Sequence, residues 1–198
     1  GTYYKGQWKD SKYHYKGTLI FSNKNKYVGE FKDGKINGNG IMTHTNGIYK
    51  GEFKHSIRHG QGTYKFTDGS IYEGQWDNDN REGHGIMTYP NGDKYEGEFK
   101  DDKKNGRGIM IYPNGDKYDG EFKDDNREGH GIMTYSNGDE YDGKFKDDKK
   151  NGLCIMTYSN GDKYEGCFKD NIVNSQIIMR YIYSNGDIYI GEHRKYSK

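Results

Sequence analysis

The chain is short of most of what a compact globular core is built from. Of its 198 residues only 30% are hydrophobic, and it holds just two prolines, two tryptophans and two cysteines. Two cysteines make no disulfide framework, which fits a reducing compartment. Charged residues reach 31% and the mean hydropathy is -1.27, averages that match a disordered chain. No stretch approaches the roughly 18 apolar residues that cross a bilayer, and no signal-peptide or lipidation pattern is visible. The opening on Gly1 reads as a fragment whose native start is unseen. Nucleophile elbow, phosphate loop, dinucleotide fingerprint and HExxH spacing are all missing, so the common catalytic signatures find no foothold.

What is present is periodic. The 20 tyrosines, 8 phenylalanines and 30 glycines fall into a Tyr-x-Gly ladder at Tyr4, Tyr27, Tyr49, Tyr72, Tyr95, Tyr118, Tyr141, Tyr164 and Tyr189, spaced almost always by 23 residues. A fixed period of that size means one supersecondary unit copied in a row, each burying its face on its neighbours. Order in this chain is carried by aromatics, in which disordered segments are poor. The reading is one array over 1–198, with repeats starting near 4, 27, 49, 72, 95, 118, 141 and 164, a partial one at 189, and degenerate first and last copies.

Within a copy such as Tyr95–Lys117, short runs of β-branched and aromatic residues are bounded by Asn-Gly, which is hairpin grammar, and no 3.6-residue period persists. The fold class is therefore all-β: an elongated, twisted, single antiparallel sheet, a meander of about eight hairpins. At about 4.8 Å per strand, eight repeats span roughly 75–80 Å. Asn-Gly suits a two-residue type I′ turn. With Asn160-Gly161 as such a turn, Thr157 faces Tyr164, Ile155 faces Gly166 and Cys154 faces Cys167. Alternation then puts Tyr164, Gly166 and Phe168 on one face with Ile155 and Thr157. The pattern breaks at the 22-residue step from Tyr27 to Tyr49, at Lys24 where a turn glycine belongs, and over Asn171–Ile178, where the spacing stretches to 25.

Tyr72-Glu-Gly-Gln-Trp76 with Gly83-His-Gly85, and Tyr95-Glu-Gly-Glu-Phe99 with Gly106-Arg-Gly108, resemble the MORN (membrane occupation and recognition nexus) repeat across nearly the whole chain. Asp102, Asp125 and Asp148 depart from it at a turn position that is commonly glycine, and Cys154 replaces its second glycine. The resemblance implies a scaffold of the kind found in cytoskeletal, cell-division, ciliary and membrane-junction assemblies. It also implies working as a dimer and contacting phospholipid.

Charge is unevenly spread. Residues 1–66 carry 12 Lys and Arg against 4 Asp and Glu, whereas residues 67–192 carry 16 against 26. The basic end, including Lys5, Lys9, Lys12, Lys16, Lys24 and Lys26, supplies the cluster that anionic lipid attracts, at about 1 kcal/mol per residue. Lysines interleaved with tyrosines also resemble a single-strand stacking platform, but the repeat itself requires those tyrosines and the acidic body repels a polyanion, so nucleic acid is not an expected partner. Cys154 and Cys167, as cross-strand neighbours, read as reduced space-fillers, as a disulfide, or as half of a zinc site completed by His193 or a second subunit. The acidic turns Asp101-Asp102, Asp124-Asp125 and Asp147-Asp148 read as solvated charge, since no 12-residue calcium loop surrounds them. His84 and His130, two repeats apart, cannot share a metal within one chain, and they read as surface histidines.

The sequence points to a non-catalytic structural scaffold that needs no cofactor. It is expected to be a homodimer in a cytoplasmic, cytoskeletal or membrane-associated assembly with other scaffold proteins. An exposed aromatic row of Tyr72, Trp76, Tyr95, Phe99, Tyr118, Phe122, Tyr141, Phe145, Tyr164 and Phe168 is the expected partner face. Two dimer geometries suit the sequence, an antiparallel overlay and an end-to-end contact through the aliphatic last copy around Ile172, Val173, Ile177 and Ile178. The alternatives are the regulatory or targeting part of a larger enzyme, and a phospholipid-binding adaptor.

Overall fold

A computed structural model of the chain describes residues 1–192. It forms two compact units, Gly1–Asp102 and Lys103–Lys198. Among the described residues every regular element is a β-strand. The first unit holds β1 (Tyr3–Lys9), β2 (Lys12–Ile20), β3 (Lys26–Lys32), β4 (Lys35–His44), β5 (Gly47–Lys54), β6 (Ile57–Phe66), β7 (Ile71–Asp77), β8 (Asn80–Thr88) and β9 (Lys94–Lys100). The second holds β10 (Lys103–Ile111), β11 (Lys117–Lys123), β12 (Asn126–Thr134), β13 (Glu140–Lys146), β14 (Lys149–Thr157), β15 (Lys163–Lys169), β16 (Ile172–Val173), β17 (Met179–Ile182) and β18 (Ile188–Gly191). Within each unit, strands pair antiparallel with their sequence neighbours, which confirms the meander of hairpins. The last copy loosens: β15 carries both the two-residue β16 and β17 on one edge.

Two kinds of turn alternate, and they are not distributed as the sequence suggested. The two-residue type I′ turns sit at the acidic pairs, where both residues have positive φ, for example Asp101 (48°) and Asp102 (66°), or Asp147 (46°) and Asp148 (64°). Aspartate tolerates this left-handed region because its short side chain bonds locally. The Asn-Gly segments instead form three-residue loops. The Gly161 amide donates to the Tyr158 carbonyl (2.8 Å), the Tyr158 amide donates to the Asp162 carbonyl (2.8 Å), and only the glycine is left-handed (φ 91°). The 22-residue copy is the exception, with His44 opposite Gly47 across a two-residue loop.

The longer loop moves the register by one residue. Cys154 faces Gly166, Leu153 faces Cys167, Ile155 faces Glu165 and Met156 faces Tyr164. The expected pairing of Cys154 with Cys167 is therefore wrong. Because successive side chains alternate faces, the two cysteines point to opposite sides of the sheet. The face that carries Tyr164 and Gly166 takes Met156 and Cys154, while Ile155 and Thr157 lie on the other. The same shift lines glycines up across the strands, as in Gly29–Gly40–Gly51–Gly62–Gly74–Gly85–Gly97 of the first unit.

Candidate interaction surfaces

Each glycine row exists to make room for tyrosine. A β-carbon at Gly131 would sit 2.5 Å from the Tyr118 hydroxyl and 2.5 Å from its ring carbon Cε2, and Gly85 stands in the same relation to Tyr72. The tyrosine therefore lies flat over the backbone of its own strand and the next. Its hydroxyl donates to the carbonyl three residues on, Tyr118 to Glu121 (2.9 Å) and Tyr72 to Gln75 (2.8 Å). Within each unit such rings also pack edge-to-face against the phenylalanine or tryptophan of their own repeat and of the following one. Tyr118 meets Phe122 at 5.2 Å and Phe145 at 5.0 Å, and Tyr72 meets Trp76 at 5.2 Å and Phe99 at 5.0 Å.

This interlocking corrects the exposed partner face expected from sequence. Tyr72, Tyr95, Tyr118 and Tyr141 are fully buried, as are Trp76, Phe99, Phe122, Phe145 and Tyr164 to within a few per cent, and Phe168 is half-buried. The aromatic ladder is the core of each unit. Burial pushes the Tyr27 phenol up to about 12 and holds Tyr49, Tyr72, Tyr118 and Tyr141 higher still.

Cations cap the ladder. The Arg58 guanidinium carbon lies 4.3 Å from the Trp76 ring centre, Arg81 lies 5.4 Å from Phe99, Arg127 5.2 Å from Phe145, and the Lys150 ammonium 4.6 Å from Tyr141. Each capped position is tied to the acidic turn of the next repeat. The Arg127 backbone amide and its Nε donate to Asp148 Oδ1 at 2.9 and 3.1 Å, and its Nη2 donates to the Asp148 carbonyl at 2.8 Å. Arg58 holds Asp79 in the same way, Arg81 holds Asp102, and the Lys104 amide donates to Asp125. The second aspartate of each pair is thus a clamp between repeats and not merely solvated charge. The 23-residue recurrence of Arg58, Arg81, Lys104, Arg127 and Lys150 carried that signal.

A second clamp lies at the Asn-Gly ends. The Ser136, Ser159 and Ser184 amides donate to Asp116, Asp139 and Asp162, each at 2.8 Å. These bonds hold all three carboxyls below their usual 3.8.

Of the other expected sites, Cys154 is buried and its thiol is pushed by burial up to about 11, whereas Cys167 is half-buried on the opposite face. His193 lies outside the described residues, and among the described residues no three His, Cys, Asp or Glu side chains gather around a common metal position. His84 is exposed, and His130 Nε2 lies 2.7 Å from Asp142 on the surface.

The lysines share a pattern that sequence left open. On the face opposite the aromatic core, β1 and β2 present Lys5, Lys9, Lys12 and Lys16, facing Thr18, each other and Glu30 across the strands. β3 and β4 add Lys26, Lys32 and Lys35, and β5 and β6 add Lys50, Lys54 and Lys65. All ten are exposed. Lys24 sits in a turn with φ 69°.

The family model described as MORN repeat matches residues 4–26, 27–48, 49–71, 72–94, 95–117, 118–140 and 141–163. Among curated proteins no relative matches this sequence. The TCP domain of Drosophila melanogaster SAS-4, solved in complex with a proline rich motif of Ana2, is similar in fold at 14% identity. That match covers 96% of this chain and 97% of that one, with a TM-score of 0.51. A variant TCP10 domain of Danio rerio CPAP matches at 12% identity over 90% of this chain and 89% of that one, with a TM-score of 0.47.

Proposed function

The chain belongs to the MORN repeat family, and from that premise we propose that it is a non-catalytic protein-interaction scaffold that self-associates within a cytoskeletal assembly. The carrying observation is how the interior is used. One aromatic ladder per unit occupies the buried space, so the remaining chemistry lies on open sheet surface and at the terminal strands. The solved domain of similar fold with a bound proline-rich motif supports peptide docking as a use for such surface.

Self-association is favoured by the ends. β1 pairs only with β2, and β18 only with β17 among the described residues, so each offers an open edge for strand addition. Apolar side chains are exposed at both: Tyr3 (58%) and Trp8 (57%) on β1, Ile188 (51%) and Ile190 (66%) on β18. Light scattering coupled to size exclusion, run as a concentration series, tests this. A dimer of the 22.9 kDa chain is expected, reduced to monomer by Ile188→Lys with Ile190→Lys. A mass of one chain at every concentration up to about 0.1 mM would overturn self-association.

A further inference from the structure

The lysine-bearing outer face of β1–β6 is built at a cost. Lys9 stands directly opposite Lys12, and Lys32 opposite Lys35, like-charged pairs whose β-carbons in such a ladder are about 4.5–5.5 Å apart and which destabilise a sheet. None of the ten lysines has an ion-pair partner among the described residues. Some outer lysines further along do, Lys94 with Glu96 at 3.5 Å and Lys117 with Asp119 at 3.6 Å. The two glutamates on the same patch are otherwise engaged: Glu30 accepts the Asn39 amide at 2.9 Å and Glu52 the Gln61 amide at 3.0 Å, satisfying backbone donors at the strand bulges. Ten lysines against two glutamates thus leave a large positive excess on one face, while the arginine of these strands, Arg58, lies on the other.

We infer that this face docks an acidic polypeptide segment with aliphatic residues among its carboxylates. The inference rests on the scaffold reading and specifies one partner surface. Val28 (43% exposed), Ile41 (41%) and Ile48 (44%) lie between the lysines, giving apolar anchors within a charged surround, which is the anatomy of a protein interface. Six strands of this length cover roughly 25 by 30 Å, about 750 Å², close to the ~800 Å² that one partner contributes to a stable complex. Other polyanions fit less well. The core rings point to the far side, Tyr3 is a single exposed ring at the edge beside Lys5, and no arginine lies on the patch, so nucleic acid finds neither a row of stacking rings nor a bidentate phosphate fork. A bilayer would want a cluster of insertable side chains, whereas Ile20, Val28, Ile41, Ile48 and Ile57 are each more than half buried and Tyr3 stands at the edge strand.

The test is fluorescence anisotropy of the full chain with a labelled peptide of about sixteen residues, half glutamate and a quarter leucine. The comparison probes are the same peptide with glutamine for glutamate, phosphatidylserine vesicles, and single-stranded oligothymidylate, at about 50 and 300 mM salt. The acidic peptide is expected to bind at low salt and weaken at high salt, and its glutamine form is expected to fail. Lys16→Glu with Lys26→Glu and Lys50→Glu, all exposed, should raise Kd by roughly 3- to 150-fold, the range that three exposed pairs at 0.2–1 kcal/mol each give. The triple Lys123→Glu, Lys146→Glu, Lys163→Glu of the second unit should leave it unchanged. No binding at low salt, insensitivity to the first triple, or tighter binding of vesicles or oligonucleotide than of peptide would overturn the inference. A chain that self-associates yet ignores the peptide loses this inference alone; a monomer that binds it loses only self-association.

Discussion

Replacing Gly131 by alanine tests why glycine recurs inside strands. Its backbone is not in the left-handed region, so alanine meets no conformational strain there. In an ordinary strand the change would even help slightly, because glycine costs roughly 0.5–1 kcal/mol relative to alanine. Here the new methyl would lie 2.5 Å from Tyr118, against a ring with no exposed surface and therefore no free volume to move into. Overpacking of this kind costs about 1–3 kcal/mol. Displacing the ring also weakens the Tyr118 to Glu121 hydrogen bond, about 0.5–1.5 kcal/mol, and the edge-to-face contacts with Phe122 and Phe145. A loss of about 3 kcal/mol is expected, read as a lowered urea midpoint followed by circular dichroism. The decisive comparison is a double-mutant cycle with Tyr118→Ala. With the ring gone, Gly131→Ala should be neutral or stabilising, so the coupling should approach the whole effect of the single change. If the single variant loses less than about 1 kcal/mol, or the cycle shows additive losses, the glycine is not there to seat the tyrosine.

Three further outcomes follow from the turns. Asp148→Ala should destabilise by about 2 kcal/mol, since it strands the Arg127 donors and places alanine at φ 64°. Asp148→Asn should cost under about 1 kcal/mol, because asparagine keeps the acceptor and tolerates that region, as Asn171 does for the Lys150 amide; urea denaturation distinguishes them. Asp116, Asp139 and Asp162 have folded pKa values below the ordinary one, so their contribution is present above the usual carboxylate range and is lost as pH falls through the lowered values. Denaturation midpoints should fall on acidification below about pH 4, and Asp139→Asn should flatten that slope. Lys24→Gly should stabilise the first unit by about 1 kcal/mol, since Lys24 holds φ 69° where other copies of this turn use glycine; an unchanged or lower melting temperature would contradict it.

The repeat, its period and its all-β class were legible because Tyr, Gly and Phe recur in phase, and periodicity survives the absence of any other information. Register was not. A single residue decides whether Asn160-Gly161 closes a two- or three-residue loop, and dipeptide preference favours the shorter one. The structure chooses the longer because the Tyr158 amide pairs with Asp162. That one-residue step separates Cys154 from Cys167 and exchanges the partners of the core face. Burial of the aromatic row was missed for a related reason. In a one-layer sheet the rings look bare until their inclination over the glycines and their contacts with neighbouring repeats are seen. The clustering of lysines on one face was hidden by the bulges of β2, β4 and β6, which insert residues yet preserve which side each lysine takes.

The turn clamps join residues 20 to 22 positions apart, and each tyrosine reaches only the strands beside it. Information about a disturbance therefore travels one repeat at a time, and within each unit hydrogen exchange should record a lesion as a local dip that fades over neighbouring hairpins. Such a chain tolerates experimentation by evolution: a copy can be gained, lost or allowed to decay, as the last one has, while the rest goes on folding by the same local rules.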